Sequence, residues 1–284
     1  MSTQRKDKEP ASLMWRLLVA ITVLVYVFMF APILVVILLS FNDSSFGAFP
    51  FVGFSFRWFV KLAENEAILS ALSTSAILGV LTALIATLLA MLAALALVRH
   101  KVSGQKTVSL ILIAPLLIPE TVLAVGLLLL LRALDLPRTY LLLLAGHILI
   151  TFPFAVLVIQ ARLAGLGRTY EEAARSLGAS ALVTFREVTL PLSLPAVTAA
   201  ALFSFTISFD NLTASLFWRP NGVETIPTQI FSMLKDSVSP EINALGTVMV
   251  VITVGLSLLA GAAGSQVARQ ARASDADTQD AISK

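Results

Sequence analysis

The sequence predicts an all-α fold, a bundle of six membrane-spanning helices with both chain termini on the cytoplasmic side of the membrane. Composition is the first observation behind this prediction. Of the 284 residues, 57% are hydrophobic and 13% are charged, and the mean hydropathy is +0.90. A soluble domain carries roughly 25% charged residues. Lipid therefore has to replace water around much of this chain.

Apolar stretches and the distribution of basic residues are the second and third observations. A membrane helix needs about 20 apolar residues to cross roughly 30 Å of hydrocarbon. The predicted spans are Trp15 to Ser40, Ala67 to Val98, Thr107 to Leu131, Thr139 to Ala161, Ala196 to Trp218 and Ala244 to Ala268. Cytoplasmic loops retain positive charge. Fourteen of the 20 Lys and Arg residues lie in the two tails and in alternate loops, which places both termini in the cytoplasm.

The first span follows a cytoplasmic N-tail of residues 1–14. Basic residues precede the apolar run Leu17 to Leu39, which is the pattern of a secretory signal, but the apolar core of a signal covers only roughly 7–15 residues. The run is therefore expected to stay in the membrane. At the other end, residues 269–284 are polar with nothing to bury, so we expect a disordered cytoplasmic C-tail. The transmembrane domain then covers residues 15–268.

The loop between the first two spans, Phe41 to Glu66, is rich in aromatic residues. They are Phe46, Phe49, Phe51, Phe54, Phe56, Trp58 and Phe59. Aromatic rings settle at the headgroup level of a membrane, so one interpretation is an interfacial belt. The other interpretation is a docking surface for a second protein, and the sequence leaves both open.

The second and third spans carry further signals. The second is longer than a bilayer requires and its first residues are polar, so we expect its helix to begin outside the membrane. Small residues recur along it and permit close helix packing. They are Gly79, Ala83, Ala86, Ala90 and Ala94. In the third span, Pro115 and Pro119 predict a kink that opens backbone groups toward a pathway.

Two carboxylates stand within the predicted spans, Glu120 in the third and Asp210 in the fifth. An acid at the centre of a lone membrane helix costs about 2.5–3.5 kcal/mol, so such residues face a cavity or a partner. No basic residue is predicted at the same depth, and a cationic cargo would supply the partner. The alternative is that each acid is protonated or hydrogen-bonded to nearby polar side chains. These are Ser204, Thr206, Ser208 and Asn211. The candidate pathway residues are Glu120, Asp210, Asn211, Phe209 and Trp218.

Enzyme and nucleic-acid signatures are missing from the sequence. Its two histidines, His100 and His147, cannot form an H-E-x-x-H metal motif, and the chain has no G-x-S-x-G elbow, no P-loop and no cysteine. We therefore predict no catalytic residue, no metal ligand and no cofactor on this chain. Its net charge of +3 is spread among the loops, which disfavours nucleic acid as a partner. For His147 in the fourth span, hydrogen-bonded packing is favoured over a role in proton relay.

The loop between the fourth and fifth spans, residues 162–195, is the longest cytoplasmic connection. Its first half, Thr169 to Leu177, has the pattern of a helix with Thr169 as its cap, acids in the first turn and Gly178 at its end. Ala179 to Leu190 predicts a second short helix. Pro191 and Pro195 are expected to separate that helix from the fifth span.

This loop resembles the EAA loop of permeases from ABC importers, whose pattern is E-A-A-x3-G-x9-I-x-L-P. The matching residues are Glu172, Ala173, Ala174, Gly178, Leu190 and Pro191, with Val188 in place of Ile. The resemblance implies the fold of a type I importer permease and a role for the loop in coupling to a cytoplasmic dimer of ABC ATPases. ATP and Mg²⁺ would bind to those ATPase subunits. Transport, and no enzymatic reaction, is then expected of this chain.

A narrower resemblance is to permeases of the polyamine type, most similar to the second permease subunit of spermidine/putrescine importers. It is carried by the segments 208–211, 226–227, 230–233 and 238–244, and by 41–44 and 57–59. It implies a putrescine-like or spermidine-like cargo, a periplasmic binding protein, a second homologous permease subunit and the bacterial inner membrane. A permease for another solute, such as iron, an opine or a phosphonate, stays open. A secondary transporter and a membrane-embedded enzyme are less favoured.

Overall fold

The computed structural model describes residues 13–100, 103–236 and 239–258, and the regular structure within them is helical. In chain order the helices are α1 Leu13–Ser40, α2 Arg57–Glu64, α3 Glu66–Arg99, α4 Gln105–Ile113, α5 Glu120–Ala133, α6 Tyr140–Gly165, α7 Thr169–Ser176, α8 Ala181–Thr184, α9 Leu190–Phe209, α10 Leu212–Trp218, α11 Ile226–Asp236 and α12 Pro240–Leu258. The predicted all-α membrane bundle is confirmed. Most of the predicted N-tail, all of the C-tail and the end of the sixth span lie outside the described residues.

Within the described residues, five helical segments are long and apolar enough to cross a membrane. They are α1, α3, α6, the continuous run Ala181–Phe209, and α12. A sixth span is formed if Gln105–Leu117 and Glu120–Ala133 count as one broken helix, since their axes meet at 101°. The number of spans agrees with the sequence prediction.

Helices α3, α6 and α9 form the centre of the bundle. Toward the cytoplasmic end, Ala90 and Ala94 of α3 are fully buried against Ala155 and Ile159 of α6 and Ala200 of α9. Alanine leaves room for the helix backbones to approach closely, which in lipid is the main source of packing energy. The packing predicted from the small residues of this span is confirmed.

Helix α1 differs from the other spans. It buries only its last two residues, Leu39 and Ser40, and its remaining length is exposed or half-buried within the chain. An apolar helix in this state has to be covered by lipid or by another protein.

The kink predicted in the third span is present and sharper than a proline kink within a helix. Helix α4 continues into a 3₁₀ turn, Ala114–Leu117, and then Ile118 and Pro119 take extended backbone angles before α5 begins at Glu120. Proline favours an extended residue before it. The span is therefore two helices joined at an open corner.

The predicted limits of the fifth span were wrong at both ends. The expected separation at Pro191 and Pro195 is absent, because α8 continues through a π-helical turn, Phe185–Thr189, directly into α9. Pro191 lies in the first turn of α9, where a missing N–H costs little, and the π turn before it absorbs the altered hydrogen bonding. Toward the external side, the span is interrupted at Asp210 and Asn211 before α10 begins.

The aromatic external loop is organised around Asn42. The side-chain Oδ1 of Asn42 accepts hydrogen bonds from the N–H groups of Ser44 and Val52, and its main-chain oxygen accepts one from Nε1 of Trp58 at 2.8 Å. Trp58 is buried and belongs to the protein core, whereas Phe46 and Phe49 are exposed. The rings of this loop therefore differ in their surroundings, and neither an interfacial belt nor a docking surface accounts for all of them.

Candidate functional site

The breaks in the third and fifth spans lie side by side, where Glu120 contacts Asn211. Glu120 is the first residue of α5, and Asn211 is the residue that caps the N-terminus of α10. The Nδ2 group of Asn211 donates to Oε1 of Glu120 at 2.7 Å, and Oδ1 of Asn211 accepts from the N–H of Ala214 at 2.7 Å. One amide therefore caps a helix and holds a carboxylate. For Glu120, this is one of the hydrogen bonds considered from the sequence.

A cleft of about 460 Å³ opens beside this contact. It is lined by Glu120, Thr206, Ile207, Asp210, Asn211, Leu212 and Thr213. Asp210 is exposed there, and its carboxylate makes no hydrogen bond or ion pair to other described residues. The lining contains two acids and no Lys or Arg. The cleft is therefore suited to a cationic group.

The helix ends around the cleft add to this polarity. Asp210 follows the last residue of α9, where unpaired carbonyl groups give the helix end a partial negative charge. A cation at that end is stabilised by the dipole as well as by the carboxylate. Glu120 is the first residue of α5, at the positive end of that helix dipole.

Two of the five predicted pathway residues, Phe209 and Trp218, do not line this cleft. Phe209 is buried, stacks on Phe205 with ring centroids 5.4 Å apart and packs in a core cluster with Trp58 and Ile226. Trp218 is fully buried, and its Nε1 donates to the main-chain oxygen of Ala124 at 2.9 Å. Its ring lies against Gly146, where a Cβ would be 2.0 Å from the ring. Both rings therefore help to hold the two parts of the interrupted span in position.

His147 lies in a buried polar cluster of α3, α6, α9 and α10. Its Nδ1 is 2.8 Å from Oγ of Ser208 and its Nε2 is 3.3 Å from Oγ of Ser215, while Ser208 donates to Oγ1 of Thr82 at 3.3 Å. Both ring nitrogens thus have hydroxyl partners and no carboxylate. The arrangement supports hydrogen-bonded packing, which joins these four helices. Sequence reasoning missed Ser215 and Thr82, because single hydroxyls on apolar spans give no pattern.

The cytoplasmic loop has the helix, glycine break and second helix that the sequence predicts. Helix α7 ends at Ser176, and Gly178 follows with a φ of +88°, a left-handed conformation that favours glycine. Ser180 then caps α8 by accepting a hydrogen bond from the N–H of Val183. The predicted cap Thr169 is instead the first residue of α7, and Arg168 precedes it without a side-chain cap.

Two of the EAA-like residues lie on the exposed surface of this loop. Glu172 and Ala173 are exposed, and within the described ranges the carboxylate of Glu172 makes no hydrogen bond or ion pair. Beside them Leu177 is 90% exposed, and Leu182 is also exposed. Exposed apolar side chains bordered by polar ones occur at protein-binding surfaces.

The remaining EAA-like residues join this surface to the bundle. Ala174 is half-buried, Leu190 packs against the core cluster of α3, α6 and α9, and Pro191 is exposed on the first turn of α9. The loop is therefore continuous with α9.

Sequence reasoning also missed an ion pair behind this surface. Nε of Arg99, the last residue of α3, lies 3.0 Å from Oε1 of Glu171, with side chains only 11% and 13% exposed. The pair borders a cavity of about 350 Å³ between the end of α3 and the loop. The two residues are far apart in sequence, so only the fold brings them together.

Comparison with known proteins identifies relatives across most of the chain. Residues 86–272 match the profile of the family described as "Binding-protein-dependent transport system inner membrane component". The spermidine/putrescine transport system permease protein PotC of Escherichia coli strain K12 is 38% identical over 81% of this chain and 87% of its own length. The putrescine transport system permease protein PotI of the same strain is 34% identical, covering 83% of this chain and 85% of its own length.

A third relative and a solved structure extend the comparison. The putative 2-aminoethylphosphonate transport system permease protein PhnV of Salmonella typhimurium strain LT2 is 32% identical over 84% of this chain and 91% of its own length. A chain of a bacterial alginate ABC transporter, in complex with a periplasmic protein carrying an alginate pentasaccharide, superposes with a TM-score of 0.68 at 18% identity. The superposition covers 87% of this chain and 92% of the other. At this identity the likeness shows a shared fold.

Proposed function

The chain belongs to the family of binding-protein-dependent transport system inner membrane components, and from this premise we propose that it is a permease subunit of an ATP-driven polyamine importer. It forms half of the pathway through which a putrescine-like or spermidine-like cation crosses the membrane. The observation that carries the proposal is the cleft at the two broken spans, where Glu120 and Asp210 face a common space with no basic side chain in its lining.

The cleft suits a polyamine because each ammonium group of the cargo can exchange its bound water for contact with a carboxylate. Asp210 has no partner within the described residues, and Glu120 has only the neutral amide of Asn211. Hydrogen bonds to charged groups contribute about 1.5–3 kcal/mol each. The hydroxyl groups of Thr206 and Thr213 can accept further bonds from the N–H groups of the cargo.

The cargo reaches the cleft from a periplasmic binding protein that docks on the external loops. The relatives of this chain at 34–38% identity are named as permeases for spermidine and putrescine, and the family as a whole depends on binding proteins. The chain then lies in the bacterial inner membrane with both termini in the cytoplasm, as the distribution of Lys and Arg predicts.

A second permease subunit completes the pathway. The cleft is open to one side, and α1 exposes nearly its whole apolar length within this chain. A homologous subunit facing the cleft encloses the cargo, and it covers apolar surface that would otherwise contact lipid. Because the cargo binds between the two subunits, their movement against each other can open the pathway first to one side of the membrane and then to the other.

The energy comes from a dimer of cytoplasmic ATPases that binds the cytoplasmic loop of residues 162–195, which we call the coupling loop. Exposed Leu177 and unpaired Glu172 supply an apolar contact and a charge for such a partner, and Gly178 sets the angle between α7 and α8. The π turn and α9 connect the loop to Asp210 through one helical run. ATP binding and hydrolysis on the partner thereby move the walls of the cleft.

The alternative cargo is a 2-aminoethylphosphonate-like solute, because PhnV is a relative of nearly the same coverage. A phosphonate is an anion and is bound by Arg or Lys. The acidic cleft favours a cargo with cationic groups alone.

The proposal is tested by uptake into proteoliposomes that hold this chain with its second permease, its ATPase and its binding protein. Labelled spermidine should accumulate only with ATP inside and loaded binding protein outside. Unlabelled putrescine should compete, and 2-aminoethylphosphonate should not. Competition by the phosphonate alone would assign the chain to that cargo.

A further inference from the structure

The carboxylate of Glu171 lies where the coupling loop meets two spans. Its Oε1 accepts a hydrogen bond from Nε of Arg99 at 3.0 Å and a second from Oγ1 of Thr189 at 2.9 Å. Arg99 ends α3, Glu171 lies in the first turn of α7, and Thr189 ends the π turn before α9. One carboxylate oxygen therefore joins the loop to both spans.

The two arginines at this junction extend the connection to α6. Nη2 of Arg99 donates to the main-chain oxygen of Leu166, just after the end of α6, at 3.0 Å. In return, Nη2 of Arg168 donates to the main-chain oxygens of Val98 and Arg99 at 3.2 and 3.0 Å. The orphan carbonyls at the end of α3 are thus satisfied by the chain segment that leads into α7.

The burial of the junction makes it costly to open. Breaking one partner of a buried ion pair leaves a poorly hydrated charge, which destabilises strongly. Charge-assisted hydrogen bonds are also shorter and stronger than neutral ones. The loop offers a contrast in Arg186 and Glu187, whose ion pair measures 3.9 Å with side chains 80% and 68% exposed. Such an exposed pair contributes little.

We propose that Arg99, Glu171 and Thr189 form a latch that stays closed through the transport cycle and passes displacement of α7 to α3 and α9. They are positioning residues and touch no cargo. The inference rests on the proposed function, because it takes the loop to be moved by an ATPase. From the latch, α9 runs without interruption to Asp210 at the cleft, and α3 packs along α9 through Ala90 and Ala94. A contiguous set of rigid helices can carry such a displacement.

The first test measures the coupling ratio, the amount of spermidine transported per ATP hydrolysed, in the complete reconstituted complex. Glu171→Ala and Arg99→Met should assemble with the ATPase and keep basal hydrolysis, but the coupling ratio should fall at least about fivefold, the lower range of allosteric coupling. Glu171→Gln keeps an acceptor oxygen for Thr189 and Arg99 and should lie between wild type and Glu171→Ala. Glu187→Ala is the matched control on the same loop and should couple as wild type does.

The second test replaces the ion pair by a covalent bridge. The chain has no cysteine, so Arg99→Cys with Glu171→Cys introduces the only two thiols in this subunit. The cavity of about 350 Å³ beside both residues admits a short bifunctional methanethiosulfonate reagent, whose bridge is cut again by reductant. The unbridged double variant should couple poorly, bridging should restore its coupling ratio, and reductant should remove the gain.

The outcomes separate the latch from the function on which it rests. Blocked transport after bridging shows that the contact must open, and it overturns the proposal. A normal coupling ratio in Glu171→Ala and Arg99→Met overturns it as well. If Glu171→Ala fails to assemble, the coupling ratios of Glu171→Gln and of the bridged variant test the proposal instead. If the wild-type complex itself shows no substrate-stimulated hydrolysis, the proposed function fails and the latch falls with it.

Discussion

At the scale of single residues, the acidic cleft depends on Asn211, whose side-chain amide makes two hydrogen bonds. The oxygen caps α10 while the nitrogen holds Glu120 at 2.7 Å, so the helix break and the carboxylate are fixed together. Asp210, one residue earlier, has no such partner in the described part of the chain. The two acids therefore differ: one is held in place, and the other is free to take a cation.

Removing the charge of Asp210 should reduce uptake strongly. Asp210→Asn keeps the size of the side chain and loses a charged hydrogen bond to an ammonium, worth about 1.5–3 kcal/mol. Since 1.4 kcal/mol is a factor of ten, uptake of spermidine should fall by about tenfold or more. Asp135→Asn is the control, an exposed acid just beyond the end of α5, and should transport as wild type does. Equal uptake in both variants argues against a cation at Asp210.

Removing the amide of Asn211 should affect both stability and uptake. Asn211→Ala loses an N-cap, which costs about 1 kcal/mol, and releases Glu120. Asn65→Ala is a matched control, because Asn65 caps α3 by accepting from the N–H groups of Ala67 and Ile68, outside the cleft. Both variants should lower the unfolding temperature in detergent by similar amounts. Only Asn211→Ala should also lower uptake, and a loss of uptake in both would remove the special role of Asn211.

At the scale of the helices, interruptions define the site and close packing holds them in place. The corner before α5 and the break before α10 supply the cleft, and Trp218 fixes α10 by donating to Ala124 of α5 and packing on Gly146 of α6. In a bundle without large hydrophobic driving forces between helices, such close contacts decide the geometry.

A methyl group at Gly146 should disturb this packing. Its Cβ would lie 2.0 Å from Cε3 of Trp218, so the ring or the helix has to move. Overpacking of this kind costs about 1–3 kcal/mol. Gly146→Ala should therefore lower the thermal unfolding temperature of the purified chain. Gly126→Ala on α5 has open space around its Cβ and should not lower it. A stable Gly146→Ala variant would contradict the packing described for α10.

A side chain at Gly178 should disturb the coupling loop. Its φ of +88° is strained for any residue with a Cβ, by roughly 1–2 kcal/mol, although a Cβ would meet no neighbour. Gly178→Ala should therefore reduce co-purification with the ATPase or its substrate-stimulated hydrolysis, with the bundle intact. Gly165→Ala, near the end of α6, also has open space and an ordinary φ. Loss of hydrolysis in Gly165→Ala alone would shift the critical position away from Gly178.

At the scale of the whole molecule, hydrophobicity and charge predict the spans, while side-chain direction depends on the fold. Glu120, Asp210 and Gly178 could be found from the sequence, because an acid in an apolar span and a glycine after a helix are local signals. Phe209 and Trp218 could not be placed from the sequence, since Phe209 ends α9 just before the interruption, Trp218 ends α10 beyond it, and the fold buries both rings. The pair of Arg99 and Glu171 forms only when α3 and α7 meet.

The limits of the cytoplasmic loop show the same dependence. Pro191 favours a break when read locally, yet it lies in the first turn of α9 and follows a π turn, so the helix continues. A continuous helical run from Ala181 to Phe209 therefore extends from this loop to the cleft. Helix α1 adds an apolar surface for lipid or a second subunit.

We expect a polyamine to cross the membrane past Glu120 and Asp210, driven by ATP hydrolysis on a partner subunit. This expectation is tested most directly by spermidine uptake into proteoliposomes that hold the complete complex with Glu120→Gln and Asp210→Asn combined. Wild type should show ATP-dependent accumulation, and the double variant should lose uptake with the complex still assembled. Accumulation by the double variant at the wild-type rate would show that the cargo does not depend on these two acids.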